Sequence, residues 1–83
     1  MSVTIKVPGI LKTWLDGRDE IRIRGRTIDE CMDHLEKHFP GIKIRLKSSI
    51  IFLNKDDIRT LRGMATTVRD GDEITIFPML AGG

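Results

Sequence analysis

Apolar and polar residues alternate with a period of two at three places along this chain. Val3-Thr4-Ile5-Lys6-Val7 does so first, then Glu20-Ile21-Arg22-Ile23-Arg24, then Glu73-Ile74-Thr75-Ile76-Phe77. Successive side chains of a strand point to opposite faces, so each run predicts a strand with one buried side. Between the second and third runs the period changes. Thr27 and Glu30 stand at the N-cap and N3 positions of a capping box,. Ile28, Cys31, Met32, Leu35 and Phe39 then recur at helical spacing, which predicts one amphipathic helix of about three turns,. Pro8-Gly9 stops the first strand and Pro40-Gly41 stops the helix,. From Ile10 to Gly17 the chain reads as a loop or a short helical turn, carrying Leu11, Trp14 and Leu15.

The second half is less regular. Ile42-Lys43-Ile44-Arg45-Leu46 fits either a short strand or a helical turn. Ser49-Ile50-Ile51-Phe52-Leu53 is a continuous apolar run, which suits a fully buried central strand or one with a sticky outer face,. Asn54 to Asp57 reads as a turn and Ile58-Arg59 as a short edge strand. Leu61, Met64 and Val68 are the expected anchors of an irregular segment, and Asp70-Gly71-Asp72 turns the chain into its last strand. The order β-β-α-β-(β)-β predicts an α+β fold of the ubiquitin-like β-grasp type. Its mixed sheet has four to five strands, with one main helix packed across one face, because no other element can cover the helix's apolar stripe.

Composition narrows the class. Eighty-three residues make one domain with a small core,. No apolar run approaches the roughly 20 residues of a membrane span. The start of the chain carries no basic, then apolar, secretory pattern, and one cysteine is too few for a disulfide framework,. A cytoplasmic protein, monomeric when free, is expected. A net charge of +2 with both signs dispersed argues against nucleic acid or a membrane as partner,. Arg18, Arg22, Arg24 and Arg26 make a basic stripe but lack the interleaved aromatics that stack bases,. His34 and His38 lie four apart with no further ligand beside them, so a solvated helix face is expected and no metal,. Cys31 sits in the apolar stripe and reads as a core residue, as do Met32 and Met64.

The last strand leads to the candidate chemistry. If Ile74 and Ile76 face the helix, Phe77 faces the open side of the sheet. With part of the Ile50–Leu53 run it forms an exposed apolar patch, a candidate partner surface, or else it tucks under the tail. Asp70, Asp72 and Glu73 either add charge complementarity there or serve only the turn. Residues 1–78 form the predicted domain and residues 79–83 a flexible tail, Met79-Leu80-Ala81-Gly82-Gly83. A terminal glycine pair adds nothing to packing, but it is narrow enough to enter a tight channel, and it ends in a bare α-carboxylate. Phe77, Pro78 and Leu80 are therefore candidates for docking, Ala81 and Gly82 for threading, and Gly83 for the reactive group.

Asp70-Gly71-Asp72-Glu73, Ile76-Phe77-Pro78 and Ala81-Gly82-Gly83 together resemble the C-terminal signature of the ThiS/MoaD sulfur-carrier family. The segments Val3–Leu11, Asn54–Arg59 and Gly63–Thr66 look most like its CysO-type branch, which feeds amino-acid biosynthesis. A molybdopterin-synthase small subunit typically has Phe-Ala after its first strand, where this chain has Val7-Pro8-Gly9. The resemblance implies an ATP-dependent, E1-like partner that adenylates the Gly83 carboxylate. A sulfur donor then makes the thiocarboxylate, and a sulfur-accepting biosynthetic enzyme takes the sulfur. On that reading the chain is no enzyme, has no catalytic side chain and binds no cofactor, ATP being used by its activator. The cysteine or methionine branch is favoured, then molybdopterin or thiamin. The alternative is a ubiquitin-like modifier joined through Gly83 to lysines of target proteins. A structural subunit with an incidental glycine tail is the third reading.

Overall fold

The computed structural model describes residues 1–79. Within them the predicted strands appear nearly where the period-two runs end. They are β1 (Ser2–Lys6), β2 (Glu20–Arg24), β3 (Ile50–Leu53), β4 (Asp56–Asp57) and β5 (Glu73–Phe77). They form one sheet in the order β2-β1-β5-β3-β4. β1 pairs antiparallel with β2, placing Val3 beside Ile23 and Ile5 beside Ile21. β5 inserts between β1, to which it is parallel, and β3, to which it is antiparallel. This is the β-grasp arrangement expected, with the last strand at the centre.

Helix α1 (Ile28–His38) crosses one face of this sheet and buries Ile28, Cys31, Met32 and Leu35, the predicted stripe, with Phe39 half-buried at its end. Its start is held as the sequence suggests. Thr27 Oγ1 accepts the Glu30 N–H at 3.1 Å, and the Glu30 carboxylate accepts the Arg26 N–H at 3.1 Å, one residue before the usual reciprocal partner,. Val3, Ile5, Ile23, Ile51, Leu53, Ile74 and Ile76 supply the sheet's side of the core. Gly25 is a close approach: a Cβ there would stand 2.7 Å from Cys31 Sγ and 2.8 Å from Cys31 N.

The ambiguous segments resolve through packing. Gly9–Leu15 is a 3-10 helix that drives Leu11 and Leu15 into the core. Residues 42–45 are helical, forming α2 (Ile42–Arg45), since only a helical turn buries both Ile42 and Leu46 while leaving Ile44 outside. The run 50–53 is half-buried on alternate residues, so it takes the sticky-face form. Two expectations are corrected. The edge strand is Asp56–Asp57, because the Asp57 carboxylate accepts the Arg59 N–H at 2.9 Å and turns Ile58–Thr60 into a 3-10 helix. Leu61 and Met64 are not core anchors: they remain 42% and 39% exposed, while Val68 and Thr66 are buried. Thr66 can be buried because its Oγ1 accepts the Arg62 N–H at 3.0 Å. Among the described residues, no helix is long and apolar enough to cross a membrane.

Candidate functional site

β5 is fixed on both flanks by backbone pairing, so whatever follows Phe77 starts from a rigid point. Pairing to β1 ends at Thr75, opposite Lys6, whereas pairing to β3 continues to Phe77, opposite Ile50. Pro78 then ends the ladder, since it has no N–H to donate. Ile74 and Ile76 are fully buried under α1, and Phe77 lies on the open face at 46% exposure, as the alternation predicts. Its ring meets Phe52 edge-on, with centroids 5.6 Å apart at 90°. Phe52, Ile50 and Phe77 thus form one apolar patch at the end of the sheet where the tail departs. Toward the start of β5, Glu73 and Lys6 pair at 3.1 Å, which holds the lysine above its ordinary pKa. Both are well exposed, so the pair contributes little to stability.

Asp70 and Asp72 lie at the opposite end of β5 and take no part in this patch. Asp70 Oδ1 accepts the Ser2 N–H at 2.9 Å. Asp72 accepts the Arg69 N–H at 2.8 Å and an Asn54 amide N–H at 3.2 Å. Asn54, left-handed at φ 56°, accepts the Glu73 N–H through its side chain at 3.1 Å. These groups tie the start of β1 and the β3–β4 turn to β5, the turn role expected for Asp70 and Asp72.

The surroundings of Pro78 and Met79 are basic. Arg45 lies 5.1 Å from the Trp14 ring centroid, and both line a small hollow with Ile10, Pro78 and Met79. Lys43, Lys47 and Arg59 rim a larger groove that Met79 also lines. This cationic border escaped the sequence reading. Lys43, Arg45 and Lys47 alternate with Ile42, Ile44 and Leu46, a signal that only helical folding of 42–45 converts into a rim. Arg59 comes from a distant part of the chain.

Gly83, Gly82, Ala81 and Leu80, expected to carry the chemistry, lie outside the described residues. The remaining candidates settle into structural roles. Cys31 is fully buried, and burial, with Glu30's charge second, pushes its thiol up to about 11. It therefore holds no reactive thiolate at neutral pH. His34 Nδ1–H donates to the Arg24 carbonyl at 3.0 Å, and its ring is tilted against His38 at 5.5 Å. Among the described residues no group of three or more His, Cys, Asp or Glu side chains could hold a metal. Arg22 and Arg24 share the open face with Glu20, on the β2 edge, away from the aromatic pair.

Comparison with known proteins covers the whole chain. The ThiS family matches residues 5–83. The sulfur carrier protein CysO of Mycobacterium tuberculosis is 33% identical over 93 residues, spanning 100% of both chains. A chain in the crystal structure of the Amycolatopsis orientalis BexX/CysO complex superposes with a TM-score of 0.88 at 35% identity, covering 98% of this chain and 99% of that one. The solution structure of small archaeal modifier protein 1 from Methanosarcina acetivorans superposes with a TM-score of 0.86 at 26% identity, covering 99% and 96%.

Proposed function

The chain belongs to the ThiS family, and from that premise we propose that it is a sulfur carrier whose working group is the α-carboxylate of Gly83. The observation that carries the reading is a family match running through Gly83 on a chain whose final segment starts from the sheet's central strand. A carboxylate is a poor electrophile until one oxygen becomes a leaving group. An ATP-dependent, E1-like enzyme supplies this: the carboxylate attacks the α-phosphate and pyrophosphate leaves, giving the acyl-adenylate. Sulfur from a donor then displaces AMP and yields the thiocarboxylate, an ionised soft nucleophile that an acceptor enzyme consumes. The chain acts as co-substrate and contributes no catalytic side chain, and ATP is bound by the activator alone. Phe77 and Pro78, with Phe52 and Ile50 beside them, dock the body. Leu80 assists, Ala81 and Gly82 thread the tail, and residues 79–83 are the part that enters the partner's active site. Similarity to CysO supports delivery to amino-acid biosynthesis.

Likeness to an archaeal modifier protein supports a second reading, in which the same adenylate is passed to lysines of other proteins. Intact mass with fragmentation of the C-terminal peptide, on protein from its own cells, separates the two. Fragmentation is needed because oxidation of one methionine adds nearly the mass of exchanging oxygen for sulfur. The expected result is sulfur localised to Gly83. Gly83 joined to lysines, with no sulfur form, would overturn the carrier reading in favour of the modifier.

A further inference from the structure

β4 covers only part of β3. It pairs with Phe52 and Leu53 and stops at Asp57, whose carboxylate accepts the Arg59 N–H and starts a 3-10 helix. Ile50 and Ile51 therefore have no strand beside them on that flank, and a groove of about 450 Å³ opens there. Leu46 and Ile58 complete its apolar wall, and Met64 lines it at 39% exposure. Methionine, unbranched and polarizable, adapts to whichever apolar side chain enters. The rim is cationic, carrying Lys43, Lys47 and Arg59. That charge is only partly spent inside the fold. Lys43 is paired with Asp33, and Arg59 gives Nε and Nη2 to Asp57. Among the described residues Lys47 enters no ion pair and Arg59 Nη1 makes no hydrogen bond. Ile50 belongs to this groove and, paired with Phe77, to the apolar patch at the end of the sheet, so the two surfaces are continuous.

We infer that this groove receives an extended segment of a partner protein, in which one large apolar side chain is flanked by aspartate or glutamate. Each part follows from the lining. The apolar wall takes the large side chain. Lys47 and the remaining donors of Arg59 take the carboxylates, because an anion is the complement of a rim whose own acids are already engaged. An extended backbone suits a gap beside an uncovered stretch of strand. The rim is open to water, so its charges serve selectivity and the rate of encounter more than affinity. Continuity with the patch places this segment on the partner that docks Phe77 and Phe52. The patch then holds the body while the groove reads a second element, and contacts on one partner reinforce each other through effective concentration. This last step rests on the docking role proposed for Phe77; the groove's occupant does not.

Selection of a randomised phage-displayed peptide library on the full chain tests this. The enriched sequences are expected to share one large apolar residue with acidic residues beside it. A synthetic peptide of that sequence is expected to shift the methyl signals of Ile51, Ile58 and Met64 in NMR titration. Its binding should weaken about tenfold with Lys47→Glu, persist with Lys47→Arg and fall as salt is raised. Arg24→Glu changes the net charge equally at the opposite edge of the sheet and should leave it unchanged. No enrichment, or enrichment of neutral or basic sequences, would overturn the inference. So would shifts at Phe52 and Phe77 in place of the groove, or an equal loss with Arg24→Glu, which would reduce the effect to net charge. Met64 signals that move on dilution without peptide would assign the groove to a second copy and overturn it too. Failure here leaves the sulfur reading standing, and absence of sulfur on Gly83 leaves the groove's occupant standing.

Discussion

The one thiol in this chain is chemically silent because of where its residue sits. Cys31 lies under the sheet, and burial raises its thiol from 9.0 to about 11. The folded state then holds that proton more tightly than the unfolded state. Its contribution to stability is complete below about pH 9 and declines as pH rises toward 11. Urea unfolding should show about 1 kcal/mol lost between pH 8 and pH 10 from this group. Cys31→Ala should flatten that slope; Lys6 and Lys43, whose raised pKa values act in the same direction, titrate above this window. Gly25 fixes the same contact from the other side. Gly25→Ala places a Cβ within 2.8 Å of the Cys31 backbone nitrogen, which cannot move without α1. Denaturant melts should register a loss of about 1–3 kcal/mol.

Among the elements, α2 has only four residues and no side-chain cap of its own. It stands because α1 supplies one. Glu36 accepts the Gly41 N–H at 2.7 Å and the Lys43 N–H at 2.9 Å, and those two bonds, Gly41's first, hold its carboxyl below the ordinary glutamate range. A carboxylate beside free N–H groups at a helix start is favourable on two counts, hydrogen bonding and the helix dipole. The depressed folded pKa makes this stabilisation present above the unfolded value and lost as pH falls through and below it. Thermal melts from pH 7 to about pH 3 should therefore lose less for Glu36→Ala than for wild type. Some acid sensitivity should persist, because Asp57 is depressed likewise by Arg59. Since α2 carries Lys43 and Arg45, this cap also positions the basic border near the tail.

For the whole molecule, the decisive arrangement is a central strand that ends beside an apolar patch. Phe77 adds little to the body: its edge-on pair with Phe52 is worth about 0.5–1.5 kcal/mol,. On the proposed function it is a docking anchor. Phe77→Ala should then lower affinity for the activating enzyme by about 30-fold, the scale of an interface hot spot, while urea stability drops by about 1–3 kcal/mol, from the aromatic pair and the half-buried ring together. Calorimetric titration of both proteins checks this, and unchanged affinity would move the docking surface elsewhere.

The strands 20–24 and 73–77 and the start of α1 were legible because their signals are local. Side-chain alternation and a Thr–Glu cap depend on neighbours within four residues. So was the outward face of Phe77, which follows from Ile74 and Ile76 pointing in. The glycine tail and its resemblance to sulfur carriers were legible for the same reason, being written in consecutive residues. What needed tertiary structure depends on residues far apart in the chain. Residues 42–45 fit both periods, and the fold makes them helical, which buries Ile42 and Leu46 and leaves Ile44 outside, where a strand would have put all three on one face,. Met64 looked like core and stays 39% exposed, whereas Thr66, whose Oγ1 accepts the Arg62 N–H, is buried. Asp72 read equally as charge for a partner or as part of the turn, and its carboxylate accepts from the Asn54 amide, eighteen residues away. The sequence by itself determined β1, β2 and β5 and the face each buries, because side-chain alternation is a local signal,. Only the fold decided that β5 pairs with β1 as far as Thr75 and with β3 as far as Phe77, and that Lys43, Lys47 and Arg59 line one groove with Met79, because contact between distant residues exists only after the chain has closed upon itself.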